Sequence, residues 1–358
     1  MAHPTVGIIG LGYGRAHISA FQVSGCRVVA LCQRDEAAAR RVADAYRVPE
    51  VYGRWQDLLD RAKPEIVVIA TPPHLHLPIA RAAFERGMHV LCEKPLALTA
   101  DEGRAIVEAA ARANRVGMTA FNWRFTAALQ ELQALIAEGA LGRLLHVHAS
   151  WLAGRWASES AAATWRMDRA QAGHGAMGDM GVHVVDFIRW CCGDFRRLTA
   201  HSGIAYPSRS APGVARPPDA EDWCTVLGEL ASGAEVAFTV SRVAHGGNEH
   251  GLEVYGTKGA AQYRLTREGP RWWAGALRVA REGGGFEPAR PRVPLPVFDG
   301  ADPIDAIGHG TIAQLVARFL DGIRSGRTPS PSLEDGLRAQ EVLDAAATSA
   351  SRGAWVTL

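Results

Sequence analysis

The sequence predicts an α/β fold, in which a doubly wound parallel sheet at the N-terminus precedes an α+β domain with an open, mostly antiparallel sheet. Residues 1–122 alternate strands and helices, and the strands are apolar throughout, which is typical of a parallel sheet covered on both faces. A glycine-rich turn, Gly10 to Gly14, joins the first strand to the first helix. Residues 123–358 contain strands in succession with turn residues between them, which favours antiparallel pairing.

The N-terminal domain, residues 1–122, is predicted to begin with a strand from Val6 to Ile9 and a helix from about Arg15. Two later helices carry end signals. Thr99 and Glu102 have the spacing of a capping box, and Gly87 suits a C-terminal cap. Further strands are predicted at 28–31, 65–70 and 88–92, and further helices at 35–46, through 79 and 83 to 87, and after 99 through 106 and 110.

The C-terminal domain, residues 123–358, is predicted to open with a helix from Ala127 to Glu138 that ends at Gly139. Two stretches rich in Pro, Gly and Arg, 206–218 and 281–303, are expected to be loops or lids. Strands are predicted at 144–151, 223–230, 235–243, 252–255 and 260–265, and closing helices at 312–323 and from about 332 to 351.

Bulk composition indicates a globular protein. A chain of 358 residues exceeds one typical domain and needs no disulfide to stabilise its core. The net charge of +2 gives no reason to expect nucleic acid or a membrane as partner. The chain has no opening signal-peptide segment and no apolar run near 18 residues, so a cytoplasmic protein is the simplest expectation. Its six cysteines form no C-x-x-C pair, and no ligand set at metal spacing is present, so no metal is predicted.

The turn at residues 10–14 is the candidate site for a dinucleotide pyrophosphate. It follows a strand and opens a helix, where glycines allow close approach and the helix N-terminus supplies N–H donors. Its spacing departs from G-x-G-x-x-G, because the third glycine comes one residue early and Arg15 takes its usual place. A tight turn in another kind of α/β protein is the alternative. The expected cofactor contacts are Gly10, Gly12, Tyr13, Gly14 and Arg15.

The end of the second strand is expected to select between NAD and NADP. An acidic residue about 20 positions past the glycines would bind the adenosine ribose and repel a 2′-phosphate. Here Gln33 is neutral, and Arg34 could pair with a phosphate. We therefore expect that NADP is accepted. The alternative is that Arg34 is solvated and Asp35 meets the ribose.

Glu93-Lys94-Pro95 follows the predicted strand 88–92. Ligands of doubly wound folds bind outside the carboxyl ends of the strands, so a lysine here would stand beside a bound nicotinamide. Its amine can hold or move the proton of a reacting alcohol. Lys94 together with the glycine turn therefore indicates a dehydrogenase.

Asp179 and His183 are four residues apart on a helix predicted from Met177 to Cys191, so both project from one face. A histidine can take a hydroxyl proton near neutrality, and a nearby carboxylate can orient its ring or bind substrate. A helix-surface pair without catalytic role is the alternative. Lys94 and the glycine turn in the same chain favour the catalytic interpretation.

Aromatic and histidine side chains also suggest contacts. Four tryptophans, Trp123, Trp151, Trp156 and Trp165, precede the Asp179 helix. Tryptophan faces stack well on sugar rings, although core packing is the more usual role of a single tryptophan. His74 and His76 resemble an H-x-H metal pair. Their position just past a strand end favours lining a nicotinamide cleft instead.

Six ordered motifs resemble the Gfo/Idh/MocA oxidoreductase family, which contains glucose–fructose oxidoreductase, inositol dehydrogenases and many sugar dehydrogenases. The resemblance covers nearly the whole chain and is least clear between about 195 and 220 and between 270 and 305. The motifs are Ala-Thr-Pro-Pro-His-Leu-His at 70–76, Gly-Met-His-Val-Leu-Cys-Glu-Lys-Pro-Leu-Ala at 87–97, Phe-Asn-Trp-Arg-Phe at 121–125, the glycine-rich stretch 173–186 with Asp179 and His183, Glu-Val-Tyr-Gly-Thr-Lys-Gly at 253–259 and Glu-Asp-Gly-Leu at 334–337.

The resemblance implies a Rossmann domain followed by an open antiparallel sheet that commonly mediates dimers or tetramers. It also implies Lys94, Asp179 and His183 as the catalytic group, and Glu93 as a contact to the nicotinamide-side ribose. His174 departs from the glycine that the family usually has between Gly173 and Gly175. The remaining expected cofactor contacts are Gln33, Arg34, Thr71, Pro72, His76, Glu93, Lys94, Asn122 and Trp165, and the expected substrate contacts are Lys94, Trp123, Arg124, Trp151, His174, Asp179 and His183.

The expected function is an NAD- or NADP-dependent dehydrogenase or reductase that acts on a ring hydroxyl or keto carbon of a sugar or cyclitol. The expected assembly is a homodimer or homotetramer through the C-terminal sheet. Two alternatives stay open: an NAD-dependent glycoside hydrolase that works by transient oxidation and elimination, and a non-catalytic dinucleotide-binding regulator of the same fold.

Overall fold

A computed structural model of the chain describes residues 3–210, 217–269, 271–294 and 302–358. They divide into two compact units, one with residues 3–125 and 302–337 and the other with the described residues of 126–294 and 338–358. The sequence predicted a single boundary after residue 122. The structure instead groups residues 302–337 with the N-terminal part of the chain.

Six parallel strands form the sheet of the first unit, which confirms the doubly wound fold. Their order is β3-β2-β1-β4-β5-β6, so the chain reverses direction across the sheet at β1 and β4, as in dinucleotide-binding domains. The sequence missed the short strands β3 and β6. The strands are β1 (Thr5–Ile9), β2 (Arg27–Cys32), β3 (Glu50–Tyr52), β4 (Ile66–Ile69), β5 (His89–Cys92) and β6 (Gly117–Thr119).

Helices cover both faces of this sheet. Because successive strand residues point to opposite faces, Ile8 belongs to one apolar core and Ile9 to the other. This two-sided burial explains why the strands are apolar throughout. The helices are α1 (Arg15–Val23), α2 (Glu36–Tyr46), α3 (Trp55–Asp57, followed by a π-helical turn Leu58–Ala62), α4 (His76–Glu85) and α5 (Ala100–Ala113), with 3₁₀ turns at Pro73–Leu75 and Asn122–Phe125.

Nine strands form the sheet of the second unit, in the order β14-β13-β12-β11-β7-β10-β9-β8-β15. Strands β7 and β10 pair in parallel and the other neighbours are antiparallel, which confirms a mostly antiparallel sheet. The sequence missed β8, β13, β14 and β15, and the pairing of β8 is interrupted by a register shift between Phe195 and Arg197. The strands are β7 (Leu144–Ala153), β8 (Phe195–Gly203), β9 (Trp223–Leu230), β10 (Glu235–Ser241), β11 (Asn248–Gly256), β12 (Gly259–Thr266), β13 (Ala276–Arg281), β14 (Glu287–Ala289) and β15 (Val356–Thr357).

The helix that carries Asp179 and His183 differs from the prediction. The sequence indicated one α-helix from Met177 to Cys191, whereas the structure has a π-helical turn over Met177–Gly181 and then an α-helix. Of the two expected loops, residues 211–216 and 295–301 lie outside the described residues, and β14 lies within the second. The helices of this unit are α6 (Ala127–Ala137), α7 (Arg169–Ala172) and α8 (Val182–Cys192).

The C-terminal helices are α9 (Pro303–Ile307), α10 (Ala313–Ser325) and α11 (Leu333–Arg352). The residues Leu315, Val316 and Phe319 of α10 have the spacing of one helical face, and they join the apolar core that also contains Phe21 of α1. This packing places α10 in the first unit. The division between the units falls within α11.

Candidate active site

The glycine turn between β1 and α1 has the shape of a phosphate cradle. Gly10 has φ of +92°, and a Cβ there would lie 2.4 Å from the Ala70 carbonyl oxygen. A Cβ on Gly14 would lie 2.0 Å from the Gly10 oxygen. A Cβ on Gly12 would meet no atom within 4 Å, so the open side of the turn is there. Two glycines are therefore needed for the turn itself, and the third leaves room for a ligand to approach the N-terminus of α1.

The residues after β2 differ in their hydrogen bonds and in their exposure. The Gln33 N–H donates to the Tyr52 carbonyl at 3.1 Å, and Arg34 is exposed. The Asp35 carboxylate accepts the Ala38 N–H at 2.9 Å and so caps α2. The acidic residue nearest to the end of β2 is thus engaged in stabilising a helix.

Glu93 and Lys94 extend from the C-terminal end of β5. The Glu93 N–H continues the ladder by donating to the Ile69 carbonyl at 2.8 Å. Glu93 is 6% exposed as a residue, and its Oε1 lies 2.7 Å from Nε2 of His17 on α1. Lys94 is half-buried. Hydrogen bonds therefore hold both the backbone and the side chain of Glu93, the first residue of this motif.

His76, which the sequence placed at a cofactor contact, is enclosed by backbone carbonyls. Its Nδ1 lies 3.0 Å from the Pro95 oxygen and 3.2 Å from the Leu96 oxygen, and its Nε2 lies 2.9 Å from the Thr71 oxygen. The ring is fully buried, and this burial lowers the pKa of His76 although the carbonyls act to raise it. His76 thus links the turn with Thr71 and Pro72, after β4, to the segment that follows Lys94. Thr71 and Pro72 themselves are half-buried.

Asn122, Trp123 and Arg124 lie on the 3₁₀ turn after β6 and are 2–4% exposed. The Asn122 amide donates to the Thr311 hydroxyl at 2.9 Å. The Arg124 guanidinium lies 3.1 Å from the Asp335 carboxylate. Within the first unit these side chains therefore make packing and polar contacts. A role in binding ligand stays a prediction.

Asp179 lies on the π-helical turn of the second unit beside a cation. Its Oδ1 is 3.6 Å from Nε of Arg166, and the Arg166 guanidinium stacks over the Trp165 ring at 4.4 Å. Glu221 fixes the start of this turn, because its Oε1 accepts the N–H groups of Gly175 at 2.7 Å and Met177 at 3.1 Å. Neither Glu221 nor Arg166 was predicted from the sequence to support Asp179.

His183 lies in a stack of aromatic rings. Its ring is 3% exposed and stacks on Trp151 of β7, with centroids 5.4 Å apart and planes 24° apart. His250 of β11 lies on the Trp151 ring at 4.2 Å, and its Nε2 is 2.8 Å from the Tyr263 hydroxyl. Burial and then the charge of Arg267 lower the pKa of His250 well below its usual value, so His250 is neutral. Trp151, expected to contact substrate, is 6% exposed and contacts two histidines.

His174, the departure from the family pattern, contacts α11. Its Nε2 lies 2.9 Å from Oδ1 of Asp344, and the side chain is 7% exposed. Gln340 donates to the same Asp344 oxygen at 3.1 Å. The side chain thus has a partner within the second unit, and contact with substrate stays a prediction.

Asp222, beside Glu221, is a second acidic residue whose role was not predicted from the sequence. Its carboxylate lies 2.8 Å from the Arg242 guanidinium and 3.3 Å from the Arg209 guanidinium, and both arginine side chains are fully buried. Arg242 also donates to the Arg166 carbonyl at 2.9 Å, so the cluster supports the segment that carries Arg166. An adjacent acidic pair directly before a buried strand was the available signal, since such charges need partners.

Other kinds of site are not evident in the residues that the structure describes. Among them, no three His, Cys, Asp or Glu side chains cluster in a way that could hold a metal ion. The cysteines are buried, and this burial raises the pKa of Cys32 and of Cys192 to about 12. No described helix is long and apolar enough to cross a membrane.

Family models match three successive parts of the chain. A model described as an oxidoreductase family with an NAD-binding Rossmann fold matches residues 5–121. The GFO/IDH/MocA C-terminal domain matches residues 129–262, and an oxidoreductase family C-terminal alpha/beta domain matches residues 305–358.

Individual proteins match along their whole length. The chain is 32% identical to levoglucosan dehydrogenase of Pseudarthrobacter phenanthrenivorans, over 99% of this chain and 98% of that protein. It is 27% identical to inositol 2-dehydrogenase of Pseudomonas fluorescens, over 99% and 96%. A crystal structure of levoglucosan dehydrogenase in complex with NADH and levoglucosan superposes with a TM-score of 0.89 at 29% identity, over 99% of each chain.

Proposed function

Because the chain belongs to the Gfo/Idh/MocA family of oxidoreductases, we propose that it is an NAD(P)-dependent dehydrogenase or reductase acting on a ring hydroxyl or keto group of a sugar or cyclitol. The observation that carries the proposal is whole-length similarity to sugar and inositol dehydrogenases. The glycine cradle with its open side at Gly12 fits a dinucleotide. When bound, the dinucleotide supplies or accepts the hydride, and the protein supplies orientation and the proton.

We assign Lys94 to the proton of the reacting hydroxyl. The chain has three lysines among its 39 lysine and arginine residues, so it uses arginine almost wherever it needs a cation. An arginine cannot release its proton, whereas a lysine amine can both donate and accept one. A lysine directly after β5, next to a carboxylate that is itself anchored, suits a group that handles a substrate proton.

We assign His183 to the same hydroxyl proton and Asp179 to substrate orientation. The stack on Trp151 limits His183 to one ring plane, which keeps its nitrogens aimed in fixed directions. The Asp179 carboxylate lies beside the Arg166 guanidinium, and its oxygens can accept hydrogen bonds from sugar hydroxyls. Positioning of this kind is a main source of rate enhancement when the cofactor supplies the redox chemistry.

We further propose that NADP is accepted through Gln33 and Arg34. The support is that Asp35 caps α2, which leaves Arg34 as the exposed charged group closest to the end of β2. Arg34→Ala should then raise KM for NADP about tenfold and change KM for NAD little, because a charged hydrogen bond to phosphate is lost. A strong preference of the wild-type enzyme for NAD would contradict this assignment.

The assembly and location belong to the same proposal. We propose a homodimer or homotetramer formed through the nine-stranded sheet, and a cytoplasmic location. Light scattering of the purified chain gives the oligomeric state directly. A monomer at micromolar concentration would contradict the first part.

The experiment that tests the function is a screen of sugars, cyclitols and their keto forms with NAD and NADP, followed by nicotinamide absorbance. Substrate-dependent formation or loss of reduced nicotinamide is expected. A glycoside hydrolase would instead cleave glycosides without net absorbance change. A regulator would bind dinucleotide and stay inactive across the panel, and either outcome would refute the proposed function.

Lys94→Ala tests the assignment of the proton-handling group. Loss of a general acid–base group lowers kcat by about 10² to 10⁴, while dinucleotide binding should remain close to wild type. Lys258→Ala is a matched control, because Lys258 is exposed in the turn between β11 and β12. Wild-type turnover in Lys94→Ala would remove the role assigned to this lysine.

A further inference from the structure

A buried imidazole–carboxylate pair links α1 to the end of β5. His17 is fully buried on α1, Glu93 is 6% exposed, and Nε2 of His17 lies 2.7 Å from Oε1 of Glu93. The two residues are 76 positions apart in sequence but lie within the same unit. No local sequence pattern indicates a role for His17.

The direction of this hydrogen bond follows from its partners. A carboxylate oxygen accepts, so the Nε2–H of His17 donates. Nδ1 of His17 is buried and has no hydrogen-bond partner among the described residues. The Tyr13 ring meets the imidazole edge-on, with centroids 6.4 Å apart and planes at 76°. Among the described residues, the hydrogen bond of the His17 ring therefore goes to Glu93.

The backbone of α1 fixes where the imidazole stands. The His17 N–H donates to the Gly14 carbonyl at 3.1 Å, one turn after the glycine cradle begins the helix. The cradle and the Glu93 carboxylate are thus held to the same short helix. This arrangement ties two parts of the proposed dinucleotide site together.

The two oxygens of Glu93 are held unequally. Oε1 has the short bond to His17, and Oε2 accepts the Lys94 backbone N–H at 3.3 Å, which is a long bond. A ligand hydroxyl can therefore compete for Oε2 far more readily than for Oε1. Without His17, the flexible glutamate side chain would have no short bond to select this orientation.

We propose that His17 is a positioning residue that fixes Oε1 of Glu93, so that Oε2 is presented to a ribose hydroxyl of the dinucleotide. The inference rests on the proposed function and on the contact between Glu93 and the nicotinamide-side ribose that the family resemblance implies. His17 acts on cofactor binding only through Glu93. Its removal should therefore weaken binding in the presence of Glu93 and have no further effect in its absence.

The test is a double-mutant cycle of His17→Phe and Glu93→Ala, with dissociation constants for NADH measured by fluorescence titration. His17→Phe keeps an aromatic ring and loses the donor, and it should weaken NADH binding about tenfold, the loss typical of a hydrogen bond to a charged group. In the Glu93→Ala background the same change should alter the dissociation constant by less than about twofold. Steady-state kinetics should show a larger rise in cofactor KM than fall in kcat.

A conservative variant separates positioning from packing. The amide of His17→Gln reaches the place of Nε2 and should recover most of the NADH affinity, whereas the shorter His17→Asn should not. If His17→Phe does not fold, the comparison of His17→Gln with His17→Asn serves as the test. Phe21→Leu is the control for helix packing, since Phe21 is fully buried on the same helix, and it should leave NADH affinity within about twofold of wild type.

Three results would overturn the inference: unchanged NADH affinity in His17→Phe, an equal loss in the Glu93→Ala background, or the same loss in Phe21→Leu. These results differ from failure of the proposed function. A wild-type chain that binds neither NADH nor NADPH would refute the function itself.

Discussion

Asp222→Asn removes one negative charge from between two buried guanidinium groups. The carboxylate of Asp222 is 1% exposed, and the side chains of Arg209 and Arg242 are fully buried. The other oxygen of Asp222 accepts the Ala205 N–H at 2.9 Å. An asparagine amide keeps one acceptor and presents an NH₂ group to donors, so at least one existing partner loses its bond.

The loss of stability follows from this burial. Breaking a buried ion pair by removing one partner costs about 3–5 kcal/mol, because the remaining charge stays uncompensated in a poorly solvated place. Typical free energies of unfolding are about 5–15 kcal/mol, so this loss is a large fraction. For a unit of this size it corresponds to a fall in Tm of about 10 °C.

Thermal and urea denaturation, followed by tryptophan fluorescence, measure the effect. Glu229→Gln is the matched control, because Glu229 also pairs with two arginines, Arg196 and Arg197, but these arginine side chains are 65% and 51% exposed. Water screens such pairs, so the control should lose little stability.

Equal losses in Asp222→Asn and Glu229→Gln would refute the reasoning, since burial would then not decide the energy of the pair. A gain of stability in Asp222→Asn would do the same. Turnover should also fall in Asp222→Asn at temperatures where the chain is folded, because Arg242 supports the Arg166 segment.

Three further predictions concern pH, the glycine cradle and the aromatic stack. Burial acts to raise the pKa of Asp335, but the charge of Arg124 and the hydrogen bonds from Arg124 and Ser332 outweigh it and hold the pKa below its usual value. Asp335→Asn should therefore lower Tm at pH 7, and the difference should vanish as the pH falls through that lowered pKa. Gly14→Ala places a Cβ against the turn backbone and should weaken NADH binding by more than about tenfold, as measured by fluorescence titration. Trp151→Leu removes the ring against which His183 stacks and should lower kcat while the NADH dissociation constant stays unchanged. A Tm loss in Asp335→Asn that stays the same at every pH would contradict the first prediction. Wild-type NADH affinity in Gly14→Ala would contradict the second, and wild-type kcat in Trp151→Leu would contradict the third.

The fold was predictable where the signal is local. Apolar strands with glycine at the first turn were sufficient for the parallel sheet, and the spacing of Thr99 and Glu102 correctly placed the start of α5, where the Thr99 side chain accepts the Glu102 N–H. The core to which α10 belongs could not be predicted from the sequence. An amphipathic pattern shows that one face of a helix is buried, but it does not show which other elements that face packs against. The break in the helix before α8 was also missed.

The motifs of the candidate site could be predicted from the sequence, whereas the residues that hold the motif residues in place could not. Lys94, Asp179 and His183 stand out because their residue types carry chemistry at recognisable spacing. His17 and Glu221 act through partners 76 and more than 40 positions away, and one sequence contains no record of such pairings. The contacts of His76 could not be predicted either, because two of the three carbonyls around its ring belong to a segment 19 or 20 positions further along.

The dependence of the first unit on α10 affects how the chain is made. A ribosome releases β1 to β6 long before it has synthesised α10, so the apolar surface around Phe21 has no permanent cover during most of translation. Nascent chains at this stage are substrates for chaperones that bind exposed apolar segments. An isolated fragment that ends at residue 125 would carry the same uncovered surface. For recombinant work, an expressed fragment that contains β1 to β6 should therefore extend at least through α10.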